Sequence, residues 1–302
     1  VKVAIVCAKG LNSFTAGIGS VLARKHEVRE YLVETAGDID RATEWADVLW
    51  CEWANQVAGY VSEANKKPCV VRMHRYEAHT GLVKQVKWEN VRALVSTSRH
   101  VLDFAAAKVE GLEKLTRCVV IPSGIDLSKW PLQKHDGSQH RIGVVSYVHG
   151  RKQPGIWLHL LTHLPRKWHL YHAGTFQEPE WVPYLRLQAK LLDREENIHF
   201  DGWVSDVASW WKDKDYCLSA SMDEGCPYNV IEAAACGVKP VVHEYVGARE
   251  QFSGDWLWHS AERALDMLRP EFTGCPRGDI ESRYSLDAQA PEILEVVERA
   301  AS

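Results

Sequence analysis

Ser221-Met222-Asp223-Glu224-Gly225-Cys226-Pro227-Tyr228-Asn229-Val230-Ile231-Glu232-Ala233-Ala234-Ala235-Cys236-Gly237-Val238-Lys239-Pro240-Val241-Val242 is the stretch on which the reading of this chain turns. It places two carboxylates, Glu224 and Glu232, eight positions apart around a Gly-Cys-Pro turn and the start of an Ala-rich helix. Gly237 stops the helix and a short apolar strand follows. A helix N-terminus offers unpaired backbone N–H groups and a partial positive charge, so it suits an anion such as phosphate. Carboxylates accept hydrogen bonds from hydroxyls, in which sugars and riboses are rich. Together these features suit a sugar joined to a nucleotide through phosphates. An ordinary buried turn and helix would also accommodate them.

Outward from this stretch, short apolar runs alternate with helical segments along the whole chain. In the first half they are Val3–Cys7, Val28–Val33, Val48–Cys51, Cys69–Val71, Ala93–Val95 and Cys118–Ile121. In the second they are Ile142–Val145, His169–His172, Ile198–Phe200, Tyr216–Leu218, Val241–Val242 and Trp256–Trp258. Such alternation predicts an α/β protein with two doubly wound, Rossmann-like domains. Each has a parallel sheet covered on both faces, and ligands lie at the carboxyl ends of the strands, in a crevice between domains. A length of 302 residues allows two domains. The boundary is expected in the polar, turn-rich stretch 127–140, between an N-terminal domain at 1–126 and a second at 141–280, with a terminal helix at 281–302.

Composition narrows the function classes. Hydrophobic residues make up 46% and charged residues 25%, as in soluble globular proteins. No run of 18 apolar residues predicts a spanning helix, and the N-terminus reads as a buried strand rather than a leader. Eight scattered cysteines without a Cys-x-x-Cys pair read as reduced core thiols of a cytoplasmic protein. The net charge of −4 argues against bulk nucleic-acid binding. The segment Arg72–His100 nevertheless holds six Lys and Arg, three His and two Glu. It reads as a solvated helix face, or as a contact for an acidic acceptor or for an anionic membrane surface.

Glu224 and Glu232 resemble the Glu-x7-Glu motif of retaining glycosyltransferases of family 4, a group 1 family with the GT-B architecture of two facing Rossmann-like domains around a central cleft. That motif runs Glu-Gly-Phe-Gly-Leu-Pro-x-x-Glu-Ala-x-Ala-x-Gly-x-Pro-Val-Val. This chain keeps Glu224, Gly225, Glu232, Ala233, Ala235, Gly237, Pro240, Val241 and Val242, and departs at Cys226-Pro227-Tyr228-Asn229. Ile121-Pro122-Ser123-Gly124-Ile125-Asp126 resembles the Pro-Asn-Gly-Val-Asp at the family's domain junction, and the terminal helix resembles one that crosses back to the first domain.

The resemblance implies a site. Lys152 would hold the donor diphosphate, where a fixed cation stabilises charge on the leaving phosphate. Ser146-Tyr147 stand where the family has Gly-Arg, and Arg151 would restore the missing charge. Glu224 would accept from donor-sugar hydroxyls and Glu232 from the ribose. Gly225 and the amides of Tyr228, Asn229 and Val230 would lie against the sugar-phosphate. Gly17, opening the helix after the first strand, would contact phosphate. Trp203 and Val204, after Phe200-Asp201-Gly202, would line the base pocket, although Trp203 also reads as core. His74 would sit near the reacting carbon, with Arg75 and Glu77 as acceptor contacts. Asp38-Ile39-Asp40 and Asp213-Lys214-Asp215 satisfy an Asp-x-Asp string but read as capping and surface charges, and His159 with His163 lacks a third ligand.

The implied activity is transfer of a sugar from a nucleotide-diphosphate donor, UDP- or GDP-linked, to a hydroxyl of a glycan, a lipid-linked sugar or another acceptor. It would proceed with retention, by front-face attack, and without a metal or other cofactor. Three alternatives stay open: a nucleotide-sugar epimerase of the same fold, a non-catalytic sugar-nucleotide binding module, and a transferase acting on a modified base in DNA.

Overall fold

The structure, a computed structural model, describes residues 1–269 and 276–302. The chain divides into two compact units, Val1–Asp126 with Arg283–Ser302, and Leu127–Ser282. Each is built on a six-stranded sheet whose paired strands are all parallel. The twelve apolar runs read from the sequence all form strands.

In the first unit the strands are β1 (Lys2–Ala8), β2 (Glu27–Val33), β3 (Val48–Glu52), β4 (Cys69–Met73), β5 (Ala93–Ser96) and β6 (Arg117–Val120), in the order β2-β1-β3-β4-β5-β6. Alternation along β1 sends Val3 and Ile5 to one face and Ala4 and Val6 to the other. Val3 and Ile5 pack with Ile18 and Leu22 of the helix Thr15–Leu22 and with Ile293 and Val297 of the terminal helix Leu286–Ala301. Ala4 and Val6 pack with Ile39, Val57 and Leu102 from three other helices. Burial on both faces is why the central strands are continuous apolar runs, whereas the edge strand β2 alternates in exposure.

The second unit holds β7 (Arg141–Val145), β8 (His169–Ala173), β9 (Ile198–Gly202), β10 (Tyr216–Ser219), β11 (Lys239–His243) and β12 (Leu257–Trp258), ordered β12-β11-β10-β7-β8-β9. The order reverses between β7 and β10, and a crevice outside the carboxyl ends of strands at such a reversal is where doubly wound sheets take ligands. The helix Tyr228–Ala235 runs from that reversal to Gly237. There the backbone turns left-handed at φ +91°, and the Gly237 and Val238 amides donate to the Ala234 and Ala233 carbonyls. A side chain at Gly237 would also meet the Gln133 carbonyl at 2.5 Å, so glycine is required twice over.

The basic segment Arg72–His100 is not one surface. Arg72 lies in the central strand β4 and is buried, as are His74 and His100, while Lys84, Lys87, Arg92 and Arg99 are exposed. The expectation of a continuous basic face is corrected accordingly: its two ends belong to the core. Both Asp-x-Asp strings do structural work. Asp38 accepts the Glu34 and Thr35 amides at the start of the helix Ala36–Trp45, and Asp213 pairs with Arg141 and Lys214 where β7 begins.

Candidate functional site

The loop after β7 leads into a short turn, Gly150–Lys152, and then the helix Pro154–Thr162. Gln153 takes a left-handed conformation between them. This places Lys152 and Arg151 against the loop after β10. Lys152 Nζ lies 2.5 Å from Glu224 Oε1, and Arg151 Nη1 lies 3.1 Å from Glu224 Oε2. Arg151 Nη1 also donates to the Asp223 carbonyl at 2.5 Å. Burial alone would raise the Glu224 carboxyl, but Lys152 and then Arg151 outweigh it and hold the group below its ordinary value. Two cations expected from sequence thus converge on one expected carboxylate.

Beside this cluster is a pocket of about 300 Å³, walled by the loops that follow β7, β8 and β9 and by the start of the helix Tyr228–Ala235. Glu232 reaches it from one side, with Tyr228 and Asn229 at the helix start. Among the described residues the Glu232 carboxyl has no hydrogen-bond or ion-pair partner, and burial pushes its pKa up to about 8. Trp203 and Val204 line the same pocket. Trp203 is 66% exposed, which settles it as a wall rather than core. Its ring lies 5.9 Å from that of Tyr147 at an angle of 30°. The Val230 amide donates to the Pro227 carbonyl at 3.1 Å and its side chain is wholly buried, so Val230 is corrected from a donor contact to a packing residue. Gly225 is buried in the turn after Glu224.

Ser146, Tyr147 and Gly174 also line this pocket without having been assigned to it from sequence. Gly174 has φ +137°, and a side chain there would lie 2.0 Å from the Ser146 carbonyl. A glycine directly after a strand was the available signal.

The expected residues of the first unit make their contacts within that unit. Gly17 faces the Leu286 side chain, 3.3 Å from where a Cβ would stand, so its bareness serves the packing of two helices. His74 ends β4 and caps the helix Arg75–Thr80, in which its side chain and that of Glu77 take each other's backbone N–H in a capping box. Its Nε2 lies 2.6 Å from Glu52 Oε1, and its ring is stacked between Phe14 (4.7 Å) and Trp53 (4.2 Å). Burial lowers its pKa against the pull of Glu52, so the ring is neutral at neutral pH with its Nε2 proton committed to the carboxylate. His74 is thus held neutral and in a fixed orientation at the carboxyl end of β4.

Glu77 is wholly buried and accepts from the Ala54 amide at 2.8 Å, which corrects it from acceptor contact to cap. Arg75 is half-buried at the helix start. Glu52, which the sequence reading passed over, is the centre of this region. It takes Trp50 Nε1 at 3.0 Å, Arg72 Nη1 at 3.2 Å and His74, and Arg72 continues to Ser123 Oγ at 2.7 Å. A Glu closing the apolar run Val48-Leu49-Trp50-Cys51 was the visible hint. Among the described residues, no group of three or more His, Cys, Asp and Glu is placed to hold a metal ion, and no helix is long and apolar enough to cross a membrane.

Residues 139–264 match the family described as glycosyl transferases group 1. Over 183 residues the chain is 27% identical to the N,N'-diacetylbacillosaminyl-diphospho-undecaprenol alpha-1,3-N-acetylgalactosaminyltransferase of Campylobacter jejuni, covering 52% of this chain and 44% of that protein. The chain thus spans less than half the length of this curated relative. Among solved structures, HepE of Anabaena in complex with UDP is similar with a TM-score of 0.80 and 16% identity, over 99% of this chain and 100% of that one. Sucrose-phosphate synthase from Thermosynechococcus elongatus is similar with a TM-score of 0.74 and 12% identity, over the whole of both chains. At such identities the likeness is one of fold, the GT-B pairing of two Rossmann-like domains. The family match falls on the unit that carries Lys152, Glu224 and Glu232, and there the chain is similar to the group 1 glycosyltransferases.

Proposed function

We propose that this protein transfers a sugar from a nucleoside-diphosphate sugar to an acceptor hydroxyl, with retention at the anomeric carbon and without a metal or other cofactor. The observation that carries the reading is the convergence of Lys152 and Arg151 on Glu224, together with a pocket lined by Glu232, whose carboxyl has no partner among the described residues. The ribose hydroxyls donate to Glu232, and the donor sugar's hydroxyls to Glu224. The diphosphate lies against Lys152, Arg151 and the first amides of the helix Tyr228–Ala235. The acceptor oxygen bonds to the anomeric carbon as the bond from that carbon to the phosphate oxygen breaks. The leaving diphosphate takes the acceptor's proton on the same face. Lys152 stabilises the negative charge that grows on the phosphate, and this contributes more in the transition state than in the ground state.

UDP is the donor nucleotide favoured by the similar structure solved with it. A lipid-linked sugar is the acceptor favoured by the Campylobacter relative's name, with a cytoplasmic protein working at the membrane face. Nucleotide sugars screened by thermal shift and then by product analysis test this. Stabilisation by one donor, with transfer to an added acceptor in excess EDTA, supports it. Conversion of donor alone to a new nucleotide sugar would identify an epimerase, and stabilisation without turnover on any acceptor a binding module. Activity lost in EDTA and restored by manganese or magnesium would overturn metal independence.

A further inference from the structure

Ser146 and Tyr147 occupy the two positions at which this chain departs from the family's Gly-Arg, and the structure gives them a place of their own. The segment is pinned on both sides. The Ser146 amide donates to the Ala173 carbonyl at 3.0 Å, the Val148 amide donates to the Thr175 carbonyl at 2.8 Å, and the Ser146 carbonyl lies 3.0 Å from His172 Nε2. Tyr147 between them is held in place before any ligand arrives, which limits the ordering cost of binding.

Tyr147 is 49% exposed and its ring lies beside that of Trp203, while Lys152 and Arg151 are engaged with Glu224. Val145 and Val204 add to a largely apolar lining, which Glu232 shares. Among the described residues, the Ser146 hydroxyl on the same wall is buried with no hydrogen-bond partner. An orphaned hydroxyl beside two exposed aromatic faces is arranged for a flat ligand with a polar edge.

We infer that Ser146 and Tyr147 recognise the nucleobase of the donor. Tyr147 extends the Trp203 face into one stacking wall, and the Ser146 hydroxyl meets the edge of the base. This rests on the reading of the second unit as the donor site. The two rings, 5.9 Å apart, are too close for a base to slide between them, since two stacking contacts need about 7 Å. The base therefore lies along the pair. The position that would carry a phosphate-binding Arg has become part of base recognition, with Arg151 supplying the cation at the phosphate.

The test is titration calorimetry of the wild type, Tyr147→Ala, Tyr147→Phe and Ser146→Ala with UDP, GDP and ADP, and by competition with ribose 5-phosphate, which has no base. The nucleotide that binds should lose about 5- to 100-fold in affinity in Tyr147→Ala, the range found for removing one stacking partner. It should stay within about twofold in Tyr147→Phe, because a neutral ring of the same shape remains. Ser146→Ala should cost about 2- to 10-fold, the worth of one neutral hydrogen bond. Ribose 5-phosphate should bind all four proteins alike. An unchanged nucleotide affinity in Tyr147→Ala, or an equal loss for ribose 5-phosphate, would overturn the inference while leaving the donor site standing. A wild type that binds no nucleotide would overturn both.

Discussion

Glu232→Gln is expected to stabilise the protein above neutral pH and to change little in mild acid. In the folded protein, burial raises the Glu232 pKa from 4.5 to about 8. In the unfolded chain the same carboxyl ionises near its ordinary value. Between those two pH values folding takes up a proton, so the native state loses stability as pH rises from about 4.5 toward 8. The full shift is 8 − 4.5 = 3.5 units, a ceiling of about 5 kcal/mol at about 1.36 kcal/mol per unit. The carboxyl opens on a pocket that admits water, so the realised cost is nearer the ~1–3 kcal/mol found for burying polar groups in proteins. Gln fills nearly the same volume and never ionises. Thermal melts of the two proteins without nucleotide, at pH 5.0 and pH 8.5, read the difference. The variant should melt about 3–10 °C higher at pH 8.5, at roughly 2–4 °C per kcal/mol for a unit of this size, and within about 2 °C of the wild type at pH 5.0. Other buried carboxyls with raised values, such as Glu77 and Asp215, are common to both proteins and cancel. A gap of the same size at both pH values would refute the reasoning, because it would mean that Glu232 ionises as freely in the folded protein as in the unfolded one.

Glu52→Ala leaves Arg72 buried without its carboxylate and should cost about 3–5 kcal/mol in urea denaturation, whereas Glu52→Leu with Arg72→Met should recover most of that loss. Gly174→Ala forces a Cβ to 2.0 Å from the Ser146 carbonyl at a φ of +137°, and should lower stability by more than about 3 kcal/mol or prevent soluble expression. Lys152→Ala should lower kcat about 10²–10³-fold beyond any effect on donor KM, and Arg151→Ala should lower it less. Steady-state kinetics with the two changes reversed in severity would assign the leaving-group contact to Arg151.

The fold was legible because both sheets are parallel and buried on both faces. Residues such as Val3-Ala4-Ile5-Val6 must then all be apolar, whichever side they face. The spacing of Glu224 and Glu232 was legible because one loop and one helical segment carry both. The sequence says least where a residue's surroundings are set by a partner distant along the chain. Gly17 has Leu286 on its bare side, 269 positions away along the chain, and nothing near Gly17 distinguishes a packing glycine from a phosphate-binding one. His74 follows a strand, as a reacting histidine would, but Glu52 on the neighbouring strand takes its Nε2 proton.

The same reasoning explains why Tyr147 reads as a loss in sequence and as a gain in structure. Along the chain it is a missing Arg, four positions before Arg151. In space, Arg151 and Lys152 already share Glu224, so a third cation would find no carboxylate there left without a partner. The wall formed by Trp203 and Val204 lacks a second aromatic face until Tyr147 provides it. An Arg at position 147 would bring a charge to a largely apolar pocket, where a desolvated cation is costly unless paired, and Glu232 is held neutral below about pH 8. Tyr147 and the raised Glu232 carboxyl are therefore two consequences of one property: the pocket is lined largely by apolar groups, which favours a flat, uncharged ligand face and makes a carboxylate costly to ionise there.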